Sequence, residues 1–254
     1  SVVHNVVFTA NTAKDGAGAS VVDGGTADFR SVVWSGNTAR LAGGGLRVAN
    51  YSVVAVDDAS ALRHNHAAKG GGAAVVQSSV LEALSGVNVT ENHGLSLGGA
   101  LWIDANSTVL AGEGSRFAKN VAGSGGGLAV TNGSSARCTG SCQVEHNAAF
   151  ESDGGGVLLD TGSHCFVAGD VRLAGNSANA TGGGLAAKAE ARFEASGEAV
   201  ASSNRAGAGA GVALATGSVS TFSRLVLRDN RAVTVGGGLL LEAASQLSVD
   251  WAAA

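Results

Sequence analysis

The residues best equipped for chemistry are His64, His66, Glu91 and His93. Imidazole and carboxylate are competent zinc ligands. His66 and His93 directly follow two asparagines, Asn65 and Asn92, and His64 and Glu91 directly precede them. In a repeating structure that spacing stacks each pair one coil apart. It makes His64, His66 and His93 the candidate metal ligands. The competing reading is a loop corner that happens to expose several polar groups.

Two carboxylates also invite a test. Asp104 and Asp160 occupy like positions two repeats apart. Stacked strands would separate them by about 9–10 Å, the span of an inverting acid/base pair. The repeat between them supplies no acid at that position, and the chain has one Tyr and three Trp to build a sugar cleft. No Ser-His-Asp or Cys-His pattern stands out. The expectation is a protein that is not an enzyme, with no catalytic residues and no cofactor.

Cys138 and Cys142 flank the turn Thr139-Gly140-Ser141 and are expected to form a corner disulfide, with Cys165 a buried free thiol. Three small core residues would be the alternative, since free Cys is often buried. N-x-Ser/Thr triplets begin at Asn50, Asn88, Asn106, Asn132 and Asn179. Asn50, Asn106 and Asn132 share one turn, so these sites are candidates for glycan attachment on a solvent-facing edge.

The elements that position these residues come from an internal repeat. Asn11, Asn37, Asn65, Asn92, Asn120, Asn147, Asn176, Asn204 and Asn230 follow one another at intervals of 26 to 29 residues. Three places before each stands an apolar residue, from Phe8 and Trp34 to Leu227; two places after each stands Ala, or Gly94 once. A glycine cluster follows, as in Gly125-Gly126-Gly127, and then an apolar alternation such as Leu101-Trp102-Ile103. Nine copies of one glycine turn exclude a phosphate-binding loop, which is used once and opens a helix.

Alternating residues in a strand face opposite ways. Each repeat therefore reads as three short strands, with the residue before Asn filling the axis. Asn is expected at the bend, where left-handed backbone angles suit it, and its amides are expected to stack. The outward residues of the first strand, among them Trp102, Leu158 and Leu240, are expected to form an apolar stripe that contacts a neighbouring surface. Leucine-rich repeats have a similar period but another consensus and a helical segment. The fold expected is all-β: a right-handed three-sided parallel β-helix of about nine coils of roughly 27 residues. Residues 1–254 read as one such domain, a segment of a longer chain, because no capping segment is visible in Trp251-Ala252-Ala253-Ala254.

Two motifs carry a family resemblance. Phe8-Thr9-Ala10-Asn11 and Phe117-Ala118-Lys119-Asn120 match F-x-x-N, and Gly98-Gly99-Ala100-Leu101 matches G-G-A-[I/L/V]. The chain thereby resembles the repeats of chlamydial-type polymorphic outer membrane proteins. The resemblance implies a right-handed β-helix of pectin-lyase type, exposed at a cell surface and adhesive.

Composition narrows the partners. The net charge is −4, without the basic stripe that nucleic acid requires. No apolar run approaches the roughly 18 residues of a membrane helix, so no membrane insertion by this segment is expected. Pro is absent, which suits a chain made mostly of β-ladder. The expectation is a structural or adhesive extracellular β-helix, part of a cell-surface or appendage assembly, meeting other subunits, copies of itself or surface glycans. A carbohydrate-binding or carbohydrate-cleaving β-helix is the second reading.

Overall fold

The computed structural model describes residues 1–57, 59–83 and 86–250, and every regular element among them is a β-strand. The chain winds as a three-sided parallel β-solenoid of about nine turns with a spacing of roughly 27 residues. The terminal segment Trp251–Ala254, read above for a cap, lies outside the described residues.

One coil shows the plan. Its first strand is Leu101–Asp104, its second Thr108–Ala111 and its third Ser115–Ala118. Asn120 follows, and then a short strand that the sequence did not announce, Val121–Ala122. First strands stack into a nine-stranded sheet and short strands into another nine-stranded sheet. Second and third strands share a 17-stranded sheet, because Arg192–Ser202 and Val219–Arg228 run through the corner unbroken.

The core follows the expected column. Phe8 is in register with Trp34, Trp34 with Leu62, Leu62 with Val89, Val89 with Phe117, and Phe117 with Val144. Volumes are traded between coils. Where the column narrows to Ala201, the second strands supply Phe193 and Phe222, whose rings lie 5.5 Å apart. At the other end the Trp34 ring stacks 5.9 Å from Phe8 and meets Phe29 edge-on at 5.0 Å.

A column of buried asparagine amides runs beside this core. Asn120 Nδ2 donates to Asn147 Oδ1 at 3.0 Å and to Val89 O in the opposite direction at 2.9 Å. Its own Oδ1 accepts from the backbone N–H and from Nδ2 of Asn92, at 2.9 and 3.0 Å. The amide-to-amide link repeats from Asn11 to Asn230 without a break. Burial of a polar group is costly unless it is bonded; here both hydrogens and the oxygen of each interior amide are used.

The bend itself is made differently from the sequence reading. The left-handed residue is the one before Asn, as at His64 (φ 55°), Glu91 (φ 57°) and Lys119 (φ 57°). Asn is freed to turn its amide inward. The glycines have two separate duties. Gly125 takes a φ of 61°, and a Cβ on Gly126 would stand 2.5 Å from the carbonyl oxygens of both Ala148 and Gly155. The first permits the turn, and the second lets adjacent coils touch backbone to backbone.

Replacing Asn120 by Ala strands two buried donors of Asn92. Each costs about 1–3 kcal/mol, so Asn120→Ala is expected to lower unfolding free energy by about 3–5 kcal/mol. Urea unfolding of the variant beside wild type checks this.

Candidate functional site

A hollow lies on the outer side of the first sheet, toward its N-terminal end. Arg47, Ala74 and Trp102 stand in one outward column on three successive first strands. Arg47 and Trp102 border a groove of about 530 Å³, lined also by Asp15, Lys69, Gln77 and Asp104. Lys69 Nζ lies 4.5 Å from the Trp102 ring centroid, a cation–π contact. Asp104 is held in place: its Oδ1 accepts from Thr131 Oγ1 at 2.5 Å and from Asn132 Nδ2 at 2.6 Å. Arg47 Nε is 4.0 Å from Asp15 Oδ1. Trp102 Nε1 is buried without a hydrogen bond inside the protein. The groove thus combines an aromatic surface with charges of both signs, a surface suited to a hydroxylated ligand. Arg47 and Trp102 were legible as outward residues; the hollow that joins them to Lys69 and Asp104 was not.

The stripe around them is not the open surface expected from alternation. Leu158 is 2% exposed, and Ala74 and Ala129 are 0% exposed. The cause is the glycine turn that leads into each strand. It folds back across the outward face, so a Cβ on Gly154 would sit 2.8 Å from Leu158 Cβ, and one on Gly125 would sit 2.7 Å from Ala129 Cβ. Ala74, Ala129, Ala186 and Ala213 in this column are all buried, because the chain covers them. Leu158 is therefore a packing residue and not an interface residue. Trp102 and Leu240 remain half-buried.

Exposed apolar groups gather instead beside the short strands after Asn. Leu95 is 50% exposed and Phe150 46% exposed. His66 and His93 lie next to them, in register on adjacent strands. Their ring centroids are 4.7 Å apart, and the Phe150 ring is 6.2 Å from that of His93. Burial, and then the neighbouring His66, hold the His93 imidazole below its usual range and favour the neutral ring.

The expected set of His64, His66 and His93 is not brought together. Asn65 turns inward between the first two, which sends His64 to the corner and His66 to the short sheet. His64 Nδ1 pairs there with Glu91 Oε2 at 3.3 Å, and Lys119 reaches the same carboxylate at 3.7 Å. Among the described residues no three His, Cys, Asp or Glu side chains converge to hold a metal.

The two acids weighed as a catalytic pair are each engaged elsewhere. Thr131 lies between them in the stack and bonds Asp104. Asp160 lies 3.7 Å from Lys188 Nζ, which also donates to Asp153 at 3.0 Å. Burial of Asp153 acts to raise its carboxyl, but hydrogen bonds from Lys188 and Thr181 outweigh it and leave the carboxyl below its usual range. The same contact leaves Lys188 above its usual range, against the effect of burial.

Asn88, Asn106, Asn132 and Asn179 are exposed and Asn50 is half-buried. Asn50, Asn106 and Asn132 each take a left-handed φ in the turn after the first strand. The amides of Asn50 and Asn132 are tied to Asp23 and Asp104 of the preceding coils, whereas Asn88 stands on a third strand.

Comparison with protein-family models, curated proteins and solved structures finds no match.

Cys138 and Cys142 are joined by a disulfide with a Cα separation of 6.4 Å. The bond clasps the corner between the second strand Ser135–Cys138 and the third strand Cys142–Glu145. In the coil below, Ser115 occupies the place of Cys142 and closes the corner with a hydrogen bond to Gly112 O at 2.7 Å. Cys165 is free and buried, and burial pushes its thiol up to about 12. Thiol titration at pH 8 is expected to find no reactive group in the folded protein, one in denaturant, and all three only after reduction.

Proposed function

We propose that this chain is a structural or adhesive β-solenoid of an extracellular assembly, working through lateral contacts with copies of itself or other subunits. The observation that carries the reading is the exposed patch of Leu95 and Phe150 on a face of a closely stacked frame. Large apolar side chains at about half exposure, grouped with two imidazoles, fit a surface that a neighbour covers. The contact face is thus the one after Asn, not the first-strand stripe. Support for an extracellular place comes from the disulfide, a bond favoured in oxidising compartments, and from exposed glycan-acceptor triplets. The F-x-x-N and G-G-A-[I/L/V] motifs support kinship with polymorphic-membrane-protein repeats of pectin-lyase type.

A carbohydrate ligand is the second reading, favoured by one arrangement: Trp102 beside Lys69, Gln77 and Asp104 in a single groove. It adds a binding site to the same frame and requires no catalytic pair.

The two readings part in one set of preparations. Sedimentation of the wild type is expected to show concentration-dependent association, which Leu95→Asp with Phe150→Asp abolishes at unchanged thermal stability. A wild type that stays monomeric at high concentration while binding glycans, with that binding lost in Trp102→Ala, would replace the first reading by the second.

A further inference from the structure

His66 and His93 are unlike the other titratable groups on the surface. Other surface pairs set a basic group against a carboxylate, as in Arg172–Glu145 at 2.8 Å or Arg224–Glu198 at 2.8 Å, or two guanidinium groups in register, as at Arg205 and Arg231. Here two imidazoles face each other, 4.7 Å between centroids and 67° between planes. They are direct register partners on parallel strands, so their Cα atoms are held about 4.8 Å apart by the ladder. Neither depends on a loop for its position.

The flanking residues leave the pair to itself. Thr38 precedes His66 in the column, and Val121 follows His93. The Phe150 ring shields one side at 6.2 Å. His64 is engaged with Glu91 around the corner. Two nitrogen donors on a fixed spacing, with no carboxylate between them, match one class of guest. Imidazole suits metals of intermediate softness, whereas magnesium and calcium require oxygen. A metal of this class takes the lone pair of a neutral imidazole nitrogen.

We propose that His66 and His93 form a two-imidazole site for a divalent transition-metal ion of the zinc and nickel class. Water completes the coordination sphere, because the described residues contribute no third ligand. The site stands on the geometry of the pair alone and does not require the contact function proposed above.

Zinc titration tests it in the intact chain, read by calorimetry and by the imidazole NMR signals. The expected result is saturable uptake with the His66 and His93 signals moving together while His64 stays still. His66→Asn and His93→Asn are each expected to weaken binding at least about tenfold, since even lost supporting contacts cost 10–100-fold. His64→Asn is expected to leave it unchanged, and the unfolding midpoint of each variant confirms that the frame is intact. Absence of saturable binding, or uptake that survives both His66→Asn and His93→Asn, or equal loss in His64→Asn, would overturn the proposal.

Discussion

The buried asparagine column is the constraint on which the rest of the chain depends. An amide inside a protein must have its hydrogens and oxygen bonded. Each interior Asn meets that demand only if another Asn stands directly above it and another below. The column therefore holds adjacent coils in register, since one slipped coil would break the five bonds that an interior Asn such as Asn120 makes with its neighbours. It also dictates neighbouring residues. The residue before Asn must turn left-handed so that the amide can point inward, and Gly36 and Gly175 take that position in two coils. The third residue of the glycine cluster lies close to the amide: a Cβ on Gly127 would lie 3.2 Å from Asn147 Nδ2, and only Ala100 among the triplets carries a side chain there.

That frame decides where function can sit. The glycine turns lie over much of the first sheet and bury Ala74, Ala129, Leu158, Ala186 and Ala213 of its outward column. Open places include the groove bordered by Arg47 and Trp102, and the ridge after Asn where Leu95, Phe150 and two histidines emerge. The repeat does not require these side chains. Coils carrying Val121 or Ala148 at the histidine position fold in the same way.

Much of the frame was legible because identical positions recur. The anchors, the axial column from Phe8 to Leu227 and the stacking of Asn amides all follow from period and residue type. Other features were present but unread. Ser52, Ser79, Ser107 and Ser134 recur at the same period, and the backbone N–H of each of the first three bonds the next hydroxyl at 3.2 Å. Their signal is hidden in Ser-rich turns, where a buried Ser and a solvated one look alike. The short strand after Asn escaped notice because two residues such as Val121-Ala122 show no alternation. The candidate sites were harder still. Alternation tells which way Leu158 points, but not that a turn from its own coil covers it. Adjacent numbering joined His64 to His66, yet the inward turn of Asn65 parts them.

The central claim is that the asparagine amides form a buried, continuous hydrogen-bonded column. Hydrogen exchange of the Asn side-chain NH2 groups, followed by NMR, addresses it directly. The account predicts that the amides from Asn37 to Asn204 exchange as slowly as the backbone of the surrounding strands, while those of exposed residues such as Asn106 exchange freely. Fast exchange along the anchor column, at the rate of Asn106, would contradict it.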